Sequence, residues 1–134
     1  MTSENEHRKI IKELLEDLNE KIRNDLLLQR QKIIGFSTSE LSCNLFALLL
    51  HKKNMIPMGF NVNHRFFVSE KSAKNKFNFD FPNKSKLLTF LVEQERHRTL
   101  LCYGKDKDKK TVENAIKIML SIKKIIEEVM EELL

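Results

Sequence analysis

Glycine and proline are scarce in this chain, at 3 and 2 of its 134 residues. Hairpins, bulges and tight turns draw on these two residues. Their scarcity, beside abundant Leu, Ile, Lys and Glu, argues against an all-β fold and for helices. Cysteine is almost as rare. Cys43 and Cys102 stand far apart, in "ELSCNLFALLL" and "RTLLCYG", and match no metal-binding spacing. They read as buried free thiols in a reducing compartment. Long apolar runs are missing too. "LFALLL" falls far short of the roughly 20 residues that span a bilayer. The start, "MTSENEHRKI", has no apolar stretch of the secretory kind. The expectation is a cytoplasmic protein with no membrane attachment.

Several chemistries lack their residues. Clustered glycines before a helix, which cradle phosphates, are absent. No G-x-S-x-G motif occurs, so no serine triad can be assigned. His7, His51, His64 and His97 are scattered, with no H-E-x-x-H arrangement. Glu93 and His97 stand four apart on one helix face and read as a side-chain pair rather than two metal ligands. No metal and no cofactor is expected.

What is present fits one domain, residues 1–134, with one core. Hydrophobic residues make up 41% and charged residues 32%, and the net charge is +5. The charge is uneven. Residues 51–110 hold 14 Lys and Arg against 6 Asp and Glu, whereas the flanking segments are slightly acidic. A local excess of this kind attracts nucleic acid or another polyanion.

Helical periodicity runs along most of the chain. Ile11, Leu14, Leu15, Leu18, Ile22 and Leu26 predict a first helix from Glu4 to about Lys32, opened by a Ser3–Glu6 capping box and ended by Gly35. Ser37 and Glu40 suggest a second capping box. The helix after it carries Leu41, Leu45, Leu48 and Leu49 and is apolar on most sides, so it belongs at the centre. The short join at Gly35 implies an antiparallel pair. A small helix is expected near His64–Lys74, then an extended segment whose Phe77, Phe79 and Phe81 tuck into the bundle. Asn83 or Ser85 caps the next helix, and Thr111 opens the last. That last helix carries a stripe through Val112, Ala115, Ile116, Met119, Ile122, Ile126, Val129 and Leu133. The sum is an all-α, up-and-down four-helix bundle with one small extra helix and a Phe-rich extended segment.

One stretch asks for a function. "EQERHRTLLCYGKDKDKK" joins Arg96, His97 and Arg98 in consecutive positions, with Tyr103 and Lys105 close behind. Successive helical residues turn by about 100°, so the three cannot share a face. One arginine must point inward and needs a carboxylate, with Glu93 and Glu95 nearest.

"NLFALLLHKKNMIPMGFNVNH", then "EQERHRTLLCYGK" and a long amphipathic last helix, resemble the HEPN domains of archaea and bacteria. These are small all-α bundles often encoded beside a minimal nucleotidyltransferase. The resemblance spans roughly Leu41 to the end of the chain. It puts His64 after the Pro57–Gly59 loop, Arg96 at the family's arginine and His97 at the polar position that follows. Where HEPN ribonucleases carry a histidine, this chain has Cys102, followed by Tyr103 and Gly104. A buried thiol is a poor proton shuttle near neutrality. The resemblance therefore implies a homodimeric binding module with a degenerate nuclease motif. Its partner would be a nucleotidyltransferase, a nucleotide or RNA, and Arg96, His97, Arg98, Tyr103, Lys105 and His64 would form the binding set. The alternatives are a metal-independent ribonuclease, with Arg96 and His97 as catalytic candidates, and a purely structural interaction protein.

Overall fold

The computed structural model describes residues 4–134, and every regular element among them is helical. The long helices are α1 (Glu4–Arg23), α2 (Gln31–Lys52), α4 (Lys84–Cys102) and α5 (Lys109–Met130). A 3-10 turn at His64–Phe67 and the short helix α3 (Glu70–Lys76) lie between α2 and α4. The result is a helical bundle built around α2. Helices α1, α4 and α5 all pack on α2, and α4 also packs on α5. Helix α1 is outermost, because among these elements it packs on α2 alone.

Side-chain contacts fix the directions. His7, near the start of α1, meets Asn44 and His51 toward the end of α2. Leu101 and Cys102, at the end of α4, meet Gly35 near the start of α2. The loop before α5 returns to the same end, where buried Gln31 accepts from the Lys107 backbone N–H at 2.7 Å and donates to its carbonyl at 3.2 Å.

Helix α2 is long and apolar enough to cross a membrane by length and composition, yet 78% of that stretch is buried inside the bundle. Leu41, Leu45, Phe46, Leu48, Leu49 and Leu50 are all fully enclosed. Phe46 meets Phe67, Phe77 and Phe81 at ring-centroid distances of 5.9, 5.0 and 6.1 Å. The Phe-rich segment thus tucks into the core as its alternation predicts, with Phe77 and Phe81 buried and Phe79 partly so. Edge-on and offset ring pairs of this kind add about 0.5–1.5 kcal/mol each beyond their burial.

The helix boundaries correct the sequence reading. The first helix ends at Arg23, not near Lys32, because Asp25 adopts φ 54°. Leu26 N–H then reaches the Lys21 carbonyl and Asp25 N–H the Ile22 carbonyl, which closes a Schellman motif. Ile22, on the predicted stripe, is consequently exposed. Asn54 at φ 55° and Glu131 at φ 56° end α2 and α5 with the same pair of bonds. In a chain so poor in glycine, other residues take the left-handed position. Helix α5 accordingly stops at Met130 and leaves Leu133 exposed.

Gly35 is not a terminator but an interior residue of α2. Ser37 and Glu40 are also interior, so no capping box forms there. The start of α4 has Asn83 in the cap position at φ 63°, without a side-chain cap bond. Helix α5 begins at Lys109, and Asp108 caps it by accepting from the Thr111 N–H at 3.0 Å. Ser3 lies outside the described residues.

At Gly35, α2 and α4 pack in close contact. A Cβ there would sit 2.7 Å from the Leu101 Cβ and 3.3 Å from the Cys102 Sγ. Leu101 Cβ is anchored to backbone and cannot swing aside. Alanine at this position gains about 0.5–1 kcal/mol of helix propensity but costs roughly 1–3 kcal/mol by overpacking. Gly35→Ala is therefore expected to lower the midpoint of urea unfolding at unchanged slope. A midpoint equal to or above wild type would contradict the close crossing.

Candidate functional site

The α2–α4 contact continues in register from Gly35. One turn on, the Arg98 guanidinium lies 5.1 Å from the Phe36 ring centre. Its Nη1 is 3.7 Å from the Glu40 carboxylate and its Nε is 4.0 Å from Glu95. Further along, Ser42 donates to the Gln94 side chain at 2.9 Å, and Gln94 donates to the Ala115 carbonyl of α5 at 3.1 Å. This fully buried relay joins the three core helices, and each polar group in it finds the partner that burial demands.

Arg98 is the arginine that points inward, with a side chain only 12% exposed. Its Nε and Nη1 are buried and have no hydrogen-bond partner. Both carboxylates stand just beyond hydrogen-bond reach, so the cation is held by charge and by the Phe36 face.

His64 arrives from the 3-10 turn. Its Nδ1 lies 2.6 and 3.0 Å from the two Glu95 oxygens. Asn63 caps that turn by accepting from the Arg65 N–H at 2.8 Å, which sets the angle at which His64 enters. The ion chain His64–Glu95–Arg98–Glu40 thus draws on three separate elements. It borders a cleft of about 350 Å³ lined by His7, Glu40, Cys43, Asn44, Asn61, Asn63 and His64, with Ile10, Ala47 and Val62.

The predicted set divides. His64 and Arg98 come together across Glu95. Arg96 does not join them; it faces solvent and pairs with Glu93 at 2.8 Å. His97 is buried, with Nδ1 2.9 Å from the Glu93 carbonyl. It meets the Glu93 backbone rather than its carboxylate, which Arg96 engages, and it does not line the cleft. Tyr103 is 65% exposed at the end of α4, and Lys105 is exposed on the following loop. Glu40, His7 and Asn44 line the cleft although sequence reasoning passed them over. Glu40 is the one acid of α2, and the sequence pattern reads it as half of a capping box with Ser37.

The thiols stay protonated near neutral pH. Burial pushes the Cys43 thiol far up. Burial also raises the Cys102 thiol, against the opposing pull of Arg98 and Lys32. Among the described residues no three His, Cys, Asp or Glu side chains converge closely enough to hold a metal ion.

The ring of His7 also meets that of His51, tilted by 31° with centres 5.3 Å apart. Burial, and then the neighbouring His7, lower the His51 basicity. Close by, Glu132 binds both Arg8 of α1 and Lys52 of α2. Hydrogen bonds from Arg8 and Lys52 hold its carboxyl down to about 2.

Comparison with protein-family models, with curated proteins and with solved structures finds no match for this chain.

The two ionic features separate by pH. Unfolded His51 takes up a proton that the folded site resists, so stability falls as pH drops through about 6.5. Glu132 contributes above the ordinary carboxylate range near 4.3, and its contribution is lost as pH falls from there toward its folded value. Thermal unfolding between pH 8 and 3 should show both declines. His51→Gln should flatten the first and Glu132→Gln the second. An unchanged upper slope in His51→Gln would refute the assignment to His51.

Proposed function

We propose that this chain is a HEPN-like helical binding module that holds RNA or a nucleotide through a cationic surface. The module acts as a homodimer paired with a nucleotidyltransferase. The observation that carries the reading is a set of free cations around the 3-10 turn, α3 and the start of α4. Arg65, Lys71, Lys74, Lys76, Lys84 and Lys86 enter no ion pair among the described residues. Lys76 lies over the half-buried Phe60 and Phe66 rings, at 5.3 and 4.8 Å from their centres. Cations interleaved with aromatic faces suit a single-stranded polyanion, since phosphates take the charge and bases take the rings. The exposed Ile33 and Phe36, one turn apart on α2, support a second copy of the chain as a neighbour.

Binding to a short single-stranded RNA should weaken with salt, with a logarithmic slope of about −0.7 per phosphate neutralised. Lys71→Glu with Lys74→Glu should cost roughly tenfold in affinity and make that slope shallower. A response flat in salt would overturn the reading, and light scattering at two concentrations on the same samples checks the dimer.

One observation favours a second reading, a metal-independent ribonuclease of the HEPN type. A histidine held by a carboxylate, beside a buried arginine and an open cleft, has the parts of a general base and a phosphate clamp. His64 and Arg98 would then replace the Arg96 and His97 suggested by sequence. Incubation with RNA separates the two readings. Cleavage abolished by His64→Ala and retained by His97→Ala is the expected result for an enzyme, whereas cleavage surviving both changes would refute this site.

A further inference from the structure

The hydrogen bonds around the cleft fix which atoms it offers a ligand. Asn44 donates from Nδ2 to the Glu40 carbonyl at 2.8 Å. Its Oδ1 therefore faces His7 Nδ1, also at 2.8 Å. An amide oxygen only accepts, so His7 carries its hydrogen on Nδ1. In the neutral ring Nε2 is then the acceptor. His7 is 4% exposed, it lines the cleft, and this nitrogen is buried without a hydrogen-bond partner.

The same logic applies to His64. A carboxylate only accepts, so the Glu95 oxygens fix the His64 hydrogen on Nδ1. Nε2 is the ring nitrogen that Glu95 leaves unengaged. The Glu40 carboxylate lines the same cleft with its side chain 36% exposed, and Arg98 stays 3.7 Å away. His7, Glu40 and His64, from α1, α2 and the 3-10 turn, thus line one space. The Glu40 carboxylate calls for donors on a ligand, while Asn63, whose Oδ1 is taken by the Arg65 N–H, keeps its Nδ2 as a donor.

Three kinds of ligand could meet these groups. A metal ion lacks a set of three converging ligands here. A polyamine would meet the buried Arg98 and the exposed Arg65 beside His64, and like charges repel it. A nucleobase joined to phosphate satisfies both conditions, with donors inward and anion outward. Among the bases, guanine alone presents two adjacent N–H donors on its pairing edge, N1–H and the 2-amino group. Adenine and cytosine each place an acceptor beside their amino group, and uracil flanks its one N–H with two carbonyls. A carboxylate matches the guanine pair as a two-pronged acceptor. The cleft volume of about 350 Å³ falls in the range of small-molecule sites, about 300–1,000 Å³.

We propose that the cleft between α1, α2 and the 3-10 turn binds a guanine base, as a free nucleotide or as an unstacked residue of single-stranded RNA. Glu40 takes N1–H and the 2-amino group, and the buried His7 Nε2 accepts a further N–H or O–H. The proposal rests on the polyanion reading above only in that the base arrives joined to phosphate.

Titration calorimetry on the full chain tests it with GMP, IMP, AMP, CMP and UMP. IMP lacks only the 2-amino group. GMP should bind roughly tenfold more tightly than IMP, the margin of one hydrogen bond to a charged group, and more tightly than the other three. Glu40→Gln, which replaces one acceptor with a donor, should weaken GMP binding by about tenfold or more. The nucleotide panel needs no variant, so it decides the matter even where Glu40→Gln is unstable. Equal binding of all five nucleotides, no GMP binding at millimolar concentration, or a folded Glu40→Gln that binds GMP as wild type does would each overturn the proposal. Salt-dependent RNA binding that is indifferent to base and to Glu40→Gln would leave the cationic surface standing and remove the guanine site. A guanine preference without salt-dependent RNA binding would do the reverse.

Discussion

The close approach of α2 and α4 at Gly35 sets the positions of most other groups in the molecule. Antiparallel helices in contact share one register along their whole length. With Leu101 seated against Gly35, Arg98 must come opposite Phe36 and Glu40, and Gln94 opposite Ser42. The ion chain and the buried amide relay are consequences of that one steric fit. Close-packed interiors do not absorb a displaced Cβ, so pushing the helices apart at Gly35 would loosen every polar contact further along.

Helix α2 resolves a conflict that follows from its position. It is enclosed on several sides, yet it carries Ser37, Thr38, Ser39 and Ser42, all buried. Thr38 spends its hydroxyl on the Ile34 carbonyl at 2.8 Å, and Ser42 spends its own on Gln94. Arg98 is a different case. A buried cation is costly unless it is paired, and this one has carboxylates on two sides and an aromatic face, but no close hydrogen bond from Nε or Nη1. Such incomplete satisfaction is characteristic of a site rather than of a core.

The sequence was most legible where local chemistry decides. The stripe of α5 through Val112, Ala115, Ile116, Met119, Ile122 and Ile126 is buried as its spacing predicts, and the alternating phenylalanines enter the core. The requirement for one inward arginine with a carboxylate was also readable from helical rotation, and Arg98 with Glu95 meets it. Longer-range matters were not legible. Gly35 looked like a stop signal because its true role depends on Leu101, 66 positions away. The actual stop at Asp25 has no glycine or proline to announce it. Glu40, His7 and His64 are separated in the chain and meet only through tertiary packing, so no spacing rule could have joined them.

Helix α1 supplies His7 and Ile10 to one wall of the cleft, and of the other elements it rests on α2 alone. The tail after α5 adds a further hold, where Glu132 reaches Arg8 and Lys52. The opposite wall belongs to α2 and the 3-10 turn, which are tied into the aromatic core. The two walls of the cleft are therefore held differently, one by the aromatic core and the other by α2 together with surface charge. The contact of Glu132 with Arg8 and Lys52 is ionic and partly exposed, so salt weakens this part of the hold on α1.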